Sequence, residues 1–223
     1  MLDVEVVDAD WYAFSDGDRL LITGEARAAE AAARRLLPLP GRVRLVVEAS
    51  RVTLPATGDN AQTVAADLIR WQGNPARDVT TVTRAHLRKA FAHEAFHAAR
   101  FRRLPEEAGA TSWVHIAIRE GLATVFARDT AAAHEPWAAY DPAVIADWAV
   151  DLFTQPCDGR TLGSYRFAHP DGREWIAFRV GTWLIDTVTA RTATTAAALV
   201  WTPAADIAAH APITHHHDHS TSG

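Results

Sequence analysis

Three neighbouring residues have the types and spacing for metal-assisted hydrolysis. His93, Glu94 and His97 stand in the stretch RKAFAHEAFHAARFRR, two imidazoles four positions apart with a carboxylate directly after the first. On a helix, residues four apart project from one face. Two neutral imidazoles there can bind one Zn²⁺. Glu94 is one step round the axis, which removes it from the ligand set but leaves it able to take a proton from a metal-activated water.

A chain with 11 histidines can produce this five-residue pattern by coincidence, so its surroundings matter. Ala90, Phe91, Ala92, Ala95, Phe96, Ala98 and Ala99 make the same segment apolar on several faces. Burying two histidines and a glutamate in such a surface costs several kcal/mol unless they find partners. A metal ion is one partner that serves all of them.

A catalytic zinc keeps three protein ligands and one open position. Glu120 is the candidate third ligand. It lies in HIAIREGLATVFA among Ile116, Ile118, Leu122, Val125 and Phe126, where an acid needs a cation or hydrogen-bond donors. The competing reading pairs it with Arg119 or Arg128. Gly121 lowers helix stability, so its presence predicts close packing of another backbone, expected here to be the helix that carries His93. His86 and His115 are read as structural or surface histidines. His86 shares the face of His93 but lies too far along the axis to reach the same metal.

These residues require two apolar helices. A threonine among residues 80–83 is expected to cap the first, which runs to about Arg103, ahead of Pro105. Ser112 is expected to cap the second. Before them, DRLLITGEA and GRVRLVVEAS read as short strands flanking the alanine-rich helix ARAAEAAARRLLPLPG, which Pro38 ends. AQTVAADLIRWQ is ambiguous between strand and helix. After them come a helix in YDPAVIADWAVDLF, capped by Asp141 with Pro142 at its first position, and a loop or weak hairpin in QPCDGRTLGSYRFAHPDG. A late helix in REWIAFRVGTWLIDTVTAR and a short last one after Pro203 follow. The predicted class is α+β: an α/β lobe over residues 1–79 with a short sheet, then a mostly helical zinc-site lobe over 80–212, together one compact domain. The tail 213–223, with HHHDH at His215–His219, is expected to be disordered.

Composition narrows the function classes. A net charge of −5 without a basic stripe argues against a nucleic-acid partner. No apolar run reaches the length of a membrane span, and the acidic start MLDVEVVDADWYAF does not resemble a secretory signal. One cysteine, Cys157, excludes an internal disulfide framework and a multi-cysteine zinc site. The expected location is the cytoplasm.

AHEAFHAARF followed by IREGLATVFA resembles the gluzincin arrangement, HExxH with a glutamate on the next helix. More narrowly, it resembles the DUF2268 family of predicted zinc-dependent proteases, over roughly residues 80–190. The resemblance implies a zincin-like fold, His93, His97 and Glu120 as zinc ligands, Glu94 as general base, and a peptide or protein substrate. The family's late helix tends to carry Gly-Tyr pairs; this chain has Ala177-Phe178 and Thr182-Trp183 there. If a tyrosine holds the tetrahedral oxyanion, that hydroxyl is missing, and Arg179, Tyr165 and His169 are the candidates to replace it. The changed positions also motivate a second reading, a non-catalytic, zinc-stabilised binding or regulatory domain on the same scaffold.

Overall fold

The computed structural model describes residues 1–109, 112–132 and 135–212. The expected disordered tail at 213–223 lies outside the described residues. Four strands form one sheet in the order β1-β2-β4-β3: β1 (Leu2–Val7), β2 (Val43–Ala49), β3 (Asp59–Ala65) and β4 (Leu68–Gly73). β1, β2 and β4 are parallel, and β3 returns antiparallel to β4 across a two-residue turn. AQTVAADLIRWQ is therefore a hairpin. Its alternation of buried and exposed residues in β3 and β4 is the period of a half-covered sheet.

The strand expected in DRLLITGEA is a correction. Those residues belong to α1 (Asp16–Arg34), which begins at a capping box between Ser15 and Asp18. The β-prone Leu20, Leu21 and Ile22 follow a strong helix start, and Ile22, Ala26, Ala29 and Ala33 then make one buried stripe. Parallel pairing of β1 with β2 requires a crossover of this kind.

Asp78 caps the next helical segment, accepting from Thr81 N at 3.2 Å, so the cap is an aspartate just ahead of the threonines expected to supply it. The segment passes through α2 (Val79–Val82) and a π-helical turn (Thr83–Leu87) into α3 (Arg88–Phe101). α3 packs against α1, β3, β4 and α4 (Trp113–Ala131). Ser112 caps α4 as expected, accepting from His115 N. α4 is apolar all round and correspondingly buried on most sides.

α5 (Ile145–Thr154) starts later than expected: Asp141 caps only a preceding turn, through Ala143 N at 2.9 Å. The stretch read as loop or hairpin contains a short helix, α6 (Leu162–Arg166), and a single bridge between Ala168 and Glu174. α7 (Ile176–Thr192) and α8 (Ala204–Ala208) complete the chain. The architecture is α+β, a small sheet with a mostly helical remainder. No helix among the described residues is long and apolar enough to cross a membrane.

Gly121 does meet another backbone, but that of α7 and not α3. A Cβ on Gly121 would lie 2.2 Å from the carbonyl oxygen of Gly181, and one on Gly181 would lie 2.0 Å from that of Ala117. The two glycines let α4 and α7 cross in backbone contact. α7 thereby packs directly on the helix that carries Glu120.

Candidate metal centre

His93 and His97 sit on the face of α3 turned towards α4, and Glu120 on α4 faces them. Their ligand atoms converge: His93 Nε2 to His97 Nε2 is 3.1 Å, and each lies 3.3 Å from Glu120 Oε2. The edge of a tetrahedron with metal–ligand bonds of about 2.0–2.1 Å is about 3.3–3.4 Å. The three atoms thus have the spacing of three corners of a zinc site, so the residues suit that ion. Among the described residues this is the one such cluster, and it has three members.

All three groups are buried or nearly so. Burial pushes the Glu120 carboxyl up, but the charge of His97, hydrogen bonds from both imidazoles and the charge of Arg119 outweigh it and hold it well below the usual carboxylate range. Burial lowers His93 too, yet the Glu120 hydrogen bond and the charges of Glu94 and Glu120 reverse the sign, so its pKa is raised. For His97 burial prevails, and it is lowered. Glu120 is thus favoured as the carboxylate, the form a cation needs.

Glu120 is also oriented from behind. Arg119 donates to its Oε1 from Nε at 3.3 Å and Nη2 at 2.9 Å, leaving Oε2 for the imidazoles. Arg119 does pair with Glu120, but Glu120 is buried, and Arg128 is bound to Asp186. Support behind the imidazoles is mostly aromatic. The His97 ring stacks on Phe101 at 5.6 Å, and its Nδ1 has no hydrogen-bond partner.

Glu94, one step round α3 from His93, is tied to β3. The Thr63 hydroxyl lies 2.7 Å from Glu94 Oε2 and 2.8 Å from the Glu94 carbonyl oxygen, so its single proton is shared with the residue from two directions. Thr63 was invisible to motif reading. Its only signal is the alternation of DNAQTVA, which places Ala61 and Thr63 on the half-buried face of an edge strand.

His93, Glu94 and Glu120 open onto a cavity of about 140 Å³. Asn60 and Ala61 of β3 line one side, and Trp137, Trp175, Phe167 and Phe178 make an aromatic wall. Trp175 meets Phe178 edge-on at 5.9 Å. At another part of the wall Glu135 holds His86 Nδ1 and Lys89 Nζ, each at 3.3 Å. His86 is thus a wall residue away from the ligands, and His115 is tied to Ser112 at 2.6 Å.

The three residues named as stand-ins for a missing hydroxyl are not on this wall. Tyr165 donates to Asp151 at 3.2 Å. The His169 ring lies 4.9 Å from that of Tyr165, tilted against it, and pairs with Asp171. Arg179 projects from α7 outside the cavity lining. The residue that is on the wall, Arg166, comes from the stretch read as loop.

A family model described as "Predicted Zn-dependent protease (DUF2268)" matches residues 29–209. No curated protein and no solved structure matches the chain.

Proposed function

The chain belongs to the DUF2268 family of predicted zinc-dependent proteases, and from that premise we propose that it is a zinc peptidase of the gluzincin kind, with a zincin-like fold. His93, His97 and Glu120 would hold the ion. Bound there, Zn²⁺ supplies Lewis acidity: it lowers the pKa of a coordinated water to about 7 and polarises a carbonyl. The observation that carries the reading is the tetrahedral spacing of three ligand atoms, two of whose residues, His93 and Glu120, open together with Glu94 onto one cavity. A purely structural zinc site closes with a fourth protein ligand, and three are present among the described residues. That favours catalysis over a zinc-stabilised binding domain.

Glu94 is the general base. Thr63 occupies Oε2, which leaves Oε1 to accept the proton of the attacking water. As the water oxygen bonds to the peptide carbon, the carbonyl π electrons move onto the carbonyl oxygen. When the C–N bond then breaks, Glu94 returns its proton to the departing nitrogen. The substrate class rests on β3. It is the edge of the sheet and borders the cavity, so an extended peptide can pair with it. The aromatic wall suits an apolar side chain beside the cleaved bond.

The test uses a variant with His215, His216, His217 and His219 changed to alanine, so that tail histidines bind no metal. It should carry one equivalent of zinc and cleave members of a quenched-fluorescent peptide library. In that background Glu94→Gln should keep the zinc and lose roughly 10²- to 10⁴-fold in rate. His93→Ala and His97→Ala should lose the metal. A metal-free parent protein, or a Glu94→Gln variant as active as its parent, defeats the proposal.

A further inference from the structure

The proposed hydrolysis creates negative charge on the former carbonyl oxygen, and the cavity needs a donor for it. This inference rests on the peptidase reading. Phe178 stands beside His93, ring centroids 6.3 Å apart, and offers no polar atom. Lys89 is neutralised by Glu135 at 3.3 Å. The Thr124 hydroxyl faces the cavity without a partner but is uncharged.

Arg166 is different. It stands at the C-terminal end of α6 and lines the cavity with His93, Glu94 and Glu120. Its guanidinium lies over the rings of Phe167 and Phe178, 5.6 and 5.8 Å from their centroids. These aromatic contacts hold it without consuming its N–H groups. Its Nη2 is 3.5 Å from Glu120 Oε1, an ion contact too long to replace the two N–H donors Arg119 already gives that oxygen. Its Nε is buried with no acceptor. Arg179 also leaves Nε unpaired but does so away from the cavity. A guanidinium held in place, short of acceptors and next to a ligand carboxylate is a site waiting for an anion.

We infer that Arg166 is a catalytic residue: it donates to the peptide carbonyl oxygen as water adds, and it stabilises the negative charge that oxygen acquires. The proton taken by Glu94 and the electron pair received by the carbonyl oxygen balance the step. Arg166 contributes N–H donors and transfers no proton.

Inorganic phosphate tests this without a known substrate. In cobalt(II)-loaded protein, the visible d–d bands report an anion that binds at the metal. Phosphate should perturb them saturably. Arg166→Gln should weaken that binding by roughly 10- to 100-fold, the loss expected for a hydrogen bond to a charged group. Arg166→Lys, which keeps the charge without the planar fork, should fall between. Cobalt affinity should be unchanged in both variants.

The inference is overturned if Arg166→Gln binds phosphate like the unaltered protein. It is equally overturned if phosphate leaves the unaltered protein's bands untouched, or if both variants lose cobalt, which would make Arg166 a support for Glu120. Failure of the unaltered protein to bind cobalt or zinc would instead defeat the peptidase reading itself.

Discussion

The three glutamates that line the cavity are each held by different neighbours, and that division assigns their work. Glu120 is turned by Arg119 so that one oxygen faces the imidazoles. Glu94 is turned by Thr63 on an edge strand. Glu135 is turned by Lys89 and His86 at another part of the wall. For Glu135, burial raises the carboxyl pKa, but the His86 hydrogen bond and the Lys89 charge outweigh it, so the net direction is down. A carboxyl lowered on folding contributes stability that is complete above its unfolded value, about 4.3, and is lost as pH falls through the folded value. Glu135→Gln should therefore flatten the acid side of the stability curve. Urea unfolding of both proteins at several pH values from 7 downwards checks this, and parallel curves would exclude Glu135 as a contributor.

At the scale of elements, the site is an intersection of helices whose separation is set by glycine. Gly121 and Gly181 bring α4 and α7 into backbone contact, which seats Phe178 beside His93. A methyl group at Gly121 would meet backbone, which cannot rotate away. Gly121→Ala should cost about 3 kcal/mol or more and lower Tm by roughly 6–12 °C. Gly24 in α1 has open space around its Cβ position. Gly24→Ala should raise stability by about 0.5–1 kcal/mol through helix propensity. Thermal unfolding of the pair separates a packing glycine from an incidental one, and a small loss at Gly121 would mean the helices can separate freely.

Across the whole molecule, α3 is anchored at its far end by a buried ion pair. Arg100 is fully buried; its Nε donates to Glu107 Oε2 at 2.7 Å and its Nη1 to the Val200 carbonyl at 3.1 Å. Glu107 Oε1 in turn accepts from Ala204 N at 2.9 Å. The pair joins the metal-site helix to chain a hundred residues away. Glu107→Ala would strand a buried guanidinium and should cost about 3–5 kcal/mol in denaturant unfolding. Arg100→Met combined with Glu107→Met should recover part of that loss, because no unpaired charge remains. A Glu107→Ala variant as stable as the parent would show that water or another acceptor replaces the carboxylate.

The amino-acid sequence by itself determined the local terms: the i, i+4 imidazoles of His93 and His97, an acid in an apolar helix at Glu120, the cap at Ser112, and the need for a close backbone at Gly121. Each follows from one helix and its own periodicity. It misjudged DRLLITGEA, where β-prone side chains lie downstream of a capping box that starts a helix, and it left the β3–β4 hairpin undecided, because a short apolar run satisfies either period. Only the tertiary structure decided which helix meets Gly121, that Thr63 holds Glu94, and that Arg166, not Tyr165, His169 or Arg179, stands on the cavity wall. Those are relations between segments far apart in the chain. Periodicity within a segment specifies which face is buried, but the partner of that face is chosen by the packing of all the elements at once.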